Sequence, residues 1–133
     1  MYHNILVPIA YEAGHDARAE LEAARKLADP GARVTLLHVM DPVPFFAIDY
    51  MPEGYRDELT RAIEADLQRQ ADQMQNGAVE VIEGDAAREI LDWAGGNRVD
   101  CIVLATHRSD TSLYGSTAAR VVRYAPCAVH LLR

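Results

Sequence analysis

The strongest constraint on the fold is a series of short runs rich in Ile, Val and Leu that alternate with helical patterns. The first run, residues 4–9, is apolar on both of the faces that a strand presents. This is typical of a strand inside a parallel sheet whose two faces are covered. Comparable runs follow at residues 33–39, 78–83, 100–105 and 128–132. The alternation predicts a doubly wound α/β domain, a parallel sheet with helices on both faces.

Signals for helix ends divide the intervening segments. Asp16 is placed to cap the first helix, and Pro30-Gly31 is expected to end it. Asp85 is placed to cap the third helix, and the fourth is predicted from about Ser116 to Tyr124. The second helix is expected to end at Asn76-Gly77. It carries an apolar stripe made of Leu59, Ile63, Leu67 and Met74.

Residues 41–54 contain three prolines and a glycine among aromatic side chains, so they are predicted to form a loop. Two interpretations of Phe45, Phe46 and Tyr50 remain open: the rings cover a pocket or a partner, or they cap the edge of the core. The following strand, 78–83, is polar enough to lie at the edge of the sheet.

Length and charge limit the classes of function. The chain has 133 residues, which predicts one domain over residues 1–133. Thirteen basic residues against 20 acidic ones give a net charge of −7. This opposes nucleic-acid binding, which needs cations to displace phosphate counterions. No run approaches the roughly 20 apolar residues that cross a bilayer, and the N-terminus lacks a signal-peptide pattern, so no membrane role is expected.

Two cysteines, Cys101 and Cys127, are too few for a disulfide framework. Both lie in apolar runs and are predicted to be buried, reduced thiols. Together with the soluble character of the chain, they indicate a cytoplasmic protein. The five histidines are scattered, and no pair has the spacing of metal ligands, so no metal site is expected.

Candidate binding residues cluster at three strand ends, because open parallel sheets bind ligands beyond the carboxyl ends of their strands. The first two ends place Pro8 and Ala10 beside Val39 and Met40. The third strand end runs from Ala105 through His107 and Arg108.

The segment behind the third strand end suggests a phosphate site. Gly115 allows close approach to the backbone. Ser116 and Thr117 offer hydroxyl groups near a helix N-terminus, which attracts anions, and Arg108 can add a charge-assisted contact. The competing interpretation is that Ser116 only caps the helix and Arg108 is solvated. His107 is either a ligand contact or a structural hydrogen-bonding group.

Several dispersed segments resemble the universal stress protein (UspA-like) family along essentially the whole chain. The resemblance rests on Ile5-Leu6-Val7-Pro8-Ile9, Leu36-Leu37-His38-Val39, Gly84-Asp85 with Ile90 and Ala94, and Gly115-Ser116 followed by Val121-Val122-Arg123-Tyr124-Ala125-Pro126-Cys127-Ala128-Val129. The run Ala-Thr-His-Arg-Ser-Asp is similar to that of a bacterial F/G-type subgroup. The resemblance implies an adenine-nucleotide alpha-hydrolase-like fold with strand order 3-2-1-4-5.

The resemblance also implies a nucleotide site that binds ATP or AMP, with Mg²⁺ as a possible companion. The family motif is Gly-x-x-Gly, nine residues, then Gly-Ser or Gly-Thr. Ala105 and Arg108 stand at its first two glycines, and six residues instead of nine separate Arg108 from Gly115. Ala10 stands where an aspartate commonly meets the nucleoside. By the same resemblance, Val39 or Met40 contacts adenine through its backbone, and Arg108 neutralises phosphate.

Three functions remain open at this point. The first is a stress-response or regulatory protein that binds an adenine nucleotide and is not an efficient enzyme. The second is a dimeric interaction module without a ligand, which the alanines and the short loop favour. The third is a slow ATP hydrolase or phosphotransferase, for which Asp110 is the one nearby carboxylate. The last strand, 128–132, is apolar on both faces, and family resemblance implies a homodimer through it.

Overall fold

The sheet has five parallel strands in the order β3-β2-β1-β4-β5, as predicted. The computed structural model describes residues 1–11, 16–106 and 113–133, and for residues 113–115 it describes the backbone alone. The strands are β1 (Tyr2–Pro8), β2 (Ala28–Met40), β3 (Gly77–Glu83), β4 (Cys101–Ala105) and β5 (Ala128–Leu132). The polar strand β3 therefore lies at one edge of the sheet and β5 at the other.

The helices cover both faces of this sheet. They are α1 (Arg18–Leu27), α2 (Tyr55–Ala71), α3 (Ala86–Gly96) and α4 (Leu113–Tyr124), and a short 3-10 helix spans Phe45–Tyr50. Ile5 and Val7 of β1 pack on one side against α1 and α2. Leu6 packs on the other side against α3 and α4. All three side chains are fully buried, which explains why β1 is apolar on both faces.

Helix ends are where the structure departs most from the predicted elements. Helix α1 ends at Leu27, and Pro30-Gly31 belong to β2. A register shift between the Tyr2–Ala28 and Asn4–Arg33 pairs accommodates these two residues. Helix α2 ends at Ala71, so Met74 reaches the core from the turn that follows. Helix α4 begins at Leu113, three residues before the predicted Ser116.

The two predicted caps have different outcomes. Asp85 caps α3, since its carboxylate accepts a hydrogen bond from the Arg88 N–H at 3.1 Å. Asp16 accepts from the Arg18 N–H at 2.9 Å, but the N-cap position of α1 is held by Ala17. The carboxylate of Asp16 therefore forms a turn across two residues that leads into the helix.

A cluster of long-range hydrogen bonds joins the start of β4 to the start of β1. The Asp100 carboxylate accepts from the backbone N–H groups of His3 and Asn4, at 2.8 and 3.0 Å. The Asp100 N–H donates to the Asn4 carbonyl at 2.9 Å. The Asn4 amide in turn donates to the Asn97 carbonyl at 2.8 Å. Three of these hydrogen bonds thus join Asp100, just before β4, to the start of β1, and the fourth joins Asn4 to the end of α3.

The aromatic side chains of the 3-10 helix are exposed. Phe45, Phe46 and Tyr50 are 85%, 70% and 88% exposed. The expectation that they cap the edge of the core is therefore wrong for the isolated chain, because no residue of this 3-10 helix is buried.

The cysteines are both free thiols. Cys101 is buried, and burial raises its pKa to about 11. Cys127 is only partly buried, because it precedes an edge strand, and burial again raises its pKa. Within the ranges that the structure describes, no helix is long and apolar enough to span a membrane.

Candidate ligand site

A cavity of about 440 Å³ opens at the carboxyl edge of the sheet. Strand β1 ends there at Pro8 and β4 at Ala105, while β2 continues to Met40. Strands β1 and β4 flank the point where the strand order reverses, the usual position of a ligand site in a doubly wound sheet. Apolar side chains from Ile9, Leu37, Ile90 and Leu104 form part of its lining.

Most of the residues predicted for the site meet at this cavity. The lining includes Pro8, Ala10, Val39, Ala105, Ser116 and Thr117. Gly115 lies in the first turn of α4, and its place relative to the cavity is outside what the structure describes. His107, Arg108 and Asp110 fall at residues 107–112, also outside the described residues.

Met40 was predicted for the site, but its side chain and its carbonyl group do not face the cavity. Its side chain is buried in the core on the side of α1 and α2. Its carbonyl accepts a hydrogen bond from the Gly84 N–H at 3.0 Å, so it extends the pairing of β2 with β3. Neither group of Met40 is directed at the cavity.

Val39 presents its backbone to the opposite side. In a parallel strand, successive residues bond alternately to the two neighbouring strands. The Leu37 carbonyl accepts from the Ile9 N–H at 2.8 Å, whereas the Met40 carbonyl bonds towards β3. The N–H and C=O of Val39 therefore point towards β1, which has already ended. Among the described residues, no further backbone rung joins Val39 to the chain after Pro8.

His38 explains why the ladder stops there. Its Nδ1 lies 2.7 Å from the Ile9 carbonyl oxygen, the group that the next rung from Val39 would use. The Nδ1–H donates to this carbonyl in the neutral ring. Burial lowers the pKa of His38, with the Ile9 hydrogen bond and the charge of Asp41 opposing that shift. The side chain of His38 therefore replaces Val39 as the donor to Ile9.

Tyr11 forms an aromatic wall of the cavity. Its ring meets His38 edge to face, with centroids 4.9 Å apart and an interplanar angle of 90°. Its hydroxyl donates to the Asp66 carboxylate of α2. Burial and the neighbouring Asp66 raise the pKa of Tyr11, so the phenol is neutral at physiological pH.

The cavity is also lined by three carboxylate residues that were not predicted for the site from the sequence: Glu20, Asp41 and Asp85. Glu20 lies on α1 and is 2% exposed. A charged residue on the apolar stripe of a helix, between Ala17 and Leu21, was the available signal for it. Asp85 was identified as a cap alone, and Asp41 gave no signal because it begins an irregular loop.

The described residues hold no constellation suited to metal binding. Across 1–11, 16–106 and 113–133, no three His, Cys, Asp or Glu side chains are grouped so that they could hold a metal ion. The described lining offers hydrogen bonding by backbone, carboxylate, hydroxyl and imidazole groups, together with apolar and aromatic contact.

The sheet order and the position of the cavity define a doubly wound α/β protein with a ligand site at its switch point. Its sequence agrees with the model of the universal stress protein family over residues 1–133. The chain belongs to the universal stress protein family.

Relatives in three organisms illustrate this membership. A universal stress protein of Methanothermobacter thermautotrophicus is 36% identical over 143 residues, covering 100% of this chain and 97% of the relative. One from Thermus aquaticus is 34% identical and covers 100% of both chains. The structure of a universal stress protein from Lactobacillus plantarum is 30% identical, with a TM-score of 0.76, and covers 99% of this chain and 98% of its own.

More distant structures share the fold. An Arabidopsis thaliana family member with AMP bound is 15% identical, with a TM-score of 0.66, and covers 98% of this chain and 90% of its own. An Archaeoglobus fulgidus protein in complex with dAMP is 16% identical, with a TM-score of 0.62, and covers 99% and 98%. A universal stress protein in complex with cAMP is 20% identical, with a TM-score of 0.65, and covers 99% and 97%.

Proposed function

We propose that this protein binds an adenine nucleotide in the cavity at the carboxyl edge of the sheet and serves a stress-response or regulatory role. The observation that carries the proposal is the backbone of Val39, whose N–H and C=O point into the space beyond β1. Adenine presents an acceptor, N1, next to a donor, the N6 amino group. A residue whose N–H and C=O point the same way, as those of Val39 do, can donate to N1 and accept from the N6 amino group. The relatives crystallised with AMP, dAMP and cAMP support this ligand class.

The phosphate lies, in this proposal, against the first turns of α4. Because the helix begins at Leu113, its free N–H donors belong to residues up to Gly115. Ser116 and Thr117 then contribute hydroxyl groups. In the sequence between β4 and α4, Arg108 neutralises the phosphate and His107 contacts the ligand. Removal of Arg108 is expected to cost about 1.5–3 kcal/mol of binding free energy.

The charge of the described lining favours AMP over ATP. Asp41 and Asp85 contribute two carboxylates to the lining. Each additional phosphate brings further negative charge towards these groups. The triphosphate is therefore expected to need Mg²⁺ to reach comparable affinity, whereas AMP does not.

A direct test uses the wild-type protein. Mass spectrometry of nucleotide that co-purifies with the protein identifies the natural ligand. Isothermal calorimetry and thermal melts with AMP, ADP and ATP, with and without Mg²⁺, measure its affinity. A ligand at 100 times its Kd stabilises the fold by about 2.7 kcal/mol. A melting curve unmoved by millimolar nucleotide would refute nucleotide binding and favour the ligand-free interaction module.

We also propose a homodimer through β5. The strand is last in the sheet order and pairs with β4. Leu131 on this strand is 45% exposed, an apolar side chain at an edge with room for another strand. The Leu131→Lys variant is expected to be a monomer by light scattering after size exclusion. A dimer that survives this change at micromolar concentration would contradict the assignment. The free thiols of Cys101 and Cys127 are consistent with a cytoplasmic location.

A further inference from the structure

We propose that Tyr11 is the surface on which the base of the nucleotide stacks, and that Asp66 is a positioning residue that holds the tyrosine ring for it. The inference deepens the proposed function and rests on it. Tyr11 lies three residues after the end of β1 and lines the cavity. Its ring packs against His38, the residue next to Val39 on β2.

The ring of Tyr11 is fixed at two points. Its hydroxyl donates to Asp66 Oδ2 at 2.5 Å, and its ring meets His38 at 90°. Asp66 is itself held, because Arg69 and Gln70 donate to its two carboxylate oxygens at 2.9 and 3.0 Å. A ring locked in this way loses little conformational freedom when a ligand binds, which is the condition for efficient stacking.

The contact with His38 occupies at most one face of the Tyr11 ring. In an edge-to-face pair, the ring that presents its edge keeps both faces free, and the other ring keeps one. The residue as a whole is 43% exposed. A planar base whose polar edge bonds to the Val39 backbone would lie beside this ring. Such stacking tolerates any purine, so hydrogen bonding by Val39 selects the base and Tyr11 adds affinity.

A structural alternative must be separated from this role. The hydrogen bond between Tyr11 and Asp66 ties the segment after β1 to α2. In the structural alternative, loss of that tie alone disturbs the whole cavity. Such a disturbance weakens every ligand of the site. Loss of a stacking surface weakens only ligands that carry a base. Ribose 5-phosphate, which has the sugar and phosphate of AMP without the base, distinguishes the two.

The experiment measures AMP and ribose 5-phosphate binding by calorimetry in full-length variants whose folding is verified by circular dichroism. Tyr11→Leu is expected to weaken AMP binding about 5- to 100-fold and leave ribose 5-phosphate within about twofold. Tyr11→Phe keeps the ring and loses the anchor, so a loss of about 2- to 5-fold is expected. Asp66→Asn should cause a similar loss, with little further effect when Tyr11 is already Phe. Tyr50→Leu, an exposed ring outside the cavity, is the matched control and should bind AMP as the wild type does.

A spectroscopic measurement decides the case independently of variant stability. In protein labelled at tyrosine, the Tyr11 ring signals are assigned as those missing from Tyr11→Phe, and AMP should shift them upfield. The stacking role is overturned if these signals do not move with AMP. It is also overturned if Tyr11→Leu binds AMP like the wild type, or loses both ligands equally. If the wild-type protein binds no AMP, the proposed function itself fails. If the wild type binds AMP but the Tyr11 results are as just described, only the stacking role fails.

Discussion

Arg120 Nη1 lies 3.0 Å from Asp85 Oδ2, and this ion pair joins α4 to the residue that caps α3. The same Asp85 oxygen accepts the Arg88 N–H, and Asp85 also lines the cavity. One carboxylate thus completes a helix, links two helices and contributes charge to the candidate site. The Arg88 N–H bond, followed by the pairing with Arg120, lowers the pKa of Asp85.

Substitution of Asp85 should separate these contributions. Asp85→Asn retains an oxygen for the Arg88 N–H and loses the charge, whereas Asp85→Ala loses both. The midpoint of urea unfolding is therefore expected to fall more for Asp85→Ala than for Asp85→Asn. The same Asp85→Asn variant should raise the affinity for ATP relative to AMP in calorimetry. Equal urea midpoints for the two variants would contradict the capping role.

The stability of the protein should depend on pH through His38. Burial lowers the folded-state pKa of His38 below its unfolded value of about 6.5. The unfolded chain then binds more protons, so the contribution of His38 is present above about pH 6.5 and is lost as the pH falls through the folded pKa. Urea unfolding at pH 7.5 and 5.5 should show this loss in the wild type and a smaller one in His38→Gln.

Substitution by alanine is expected to have opposite effects on stability at Gly77 and at Gly95. A Cβ at Gly77 would lie 2.3 Å from the Ala71 carbonyl oxygen, so Gly77→Ala must displace backbone. A loss of about 1–3 kcal/mol in the free energy of unfolding is expected. Gly95 lies inside α3, and no atom lies within 4 Å of the position that a Cβ would take there, so Gly95→Ala should stabilise by up to about 1 kcal/mol. Chemical denaturation checks both, and a destabilised Gly95→Ala would contradict the second.

Proline at position 39 tests the backbone assignment. Val39→Pro removes the N–H that is proposed to bind adenine, and no described ladder bond uses that group. A loss of about 5- to 100-fold in AMP affinity is expected, with the fold retained. Val39→Ala keeps the N–H and should bind within a few-fold of the wild type. Retained AMP binding in Val39→Pro, measured by calorimetry, would place the base elsewhere.

The strand pattern was sufficient to predict the sheet, because buried parallel strands leave a strong mark on the sequence. Runs such as residues 4–9 are apolar on both faces only when layers cover both sides. Helix ends were less predictable. Pro30-Gly31 cannot continue a helix, but the sequence does not reveal that Ala28 already pairs with Tyr2.

The candidate site was less predictable from the sequence than the fold. Val39 and Met40 are adjacent, and the choice between them depends on which neighbouring strand each residue bonds to. That choice follows from the register of β2 between β1 and β3, a tertiary property without a local signal. The His38 bond to Ile9, which leaves Val39 available, depends on the same register. Glu20 was visible as a charge on an apolar stripe, but the direction of that stripe was not.

The contacts between Asp100 and the start of β1 have a consequence for the order of events on the ribosome. Of the five strands, β1 is synthesised before the others, and its partner β2 follows soon afterwards. The second partner, β4, and the Asp100 carboxylate are made only after β3 and α3. Until then, the nascent chain holds its central strand with one side open. We expect the N-terminal three strands to be the stretch that most needs shielding by a chaperone.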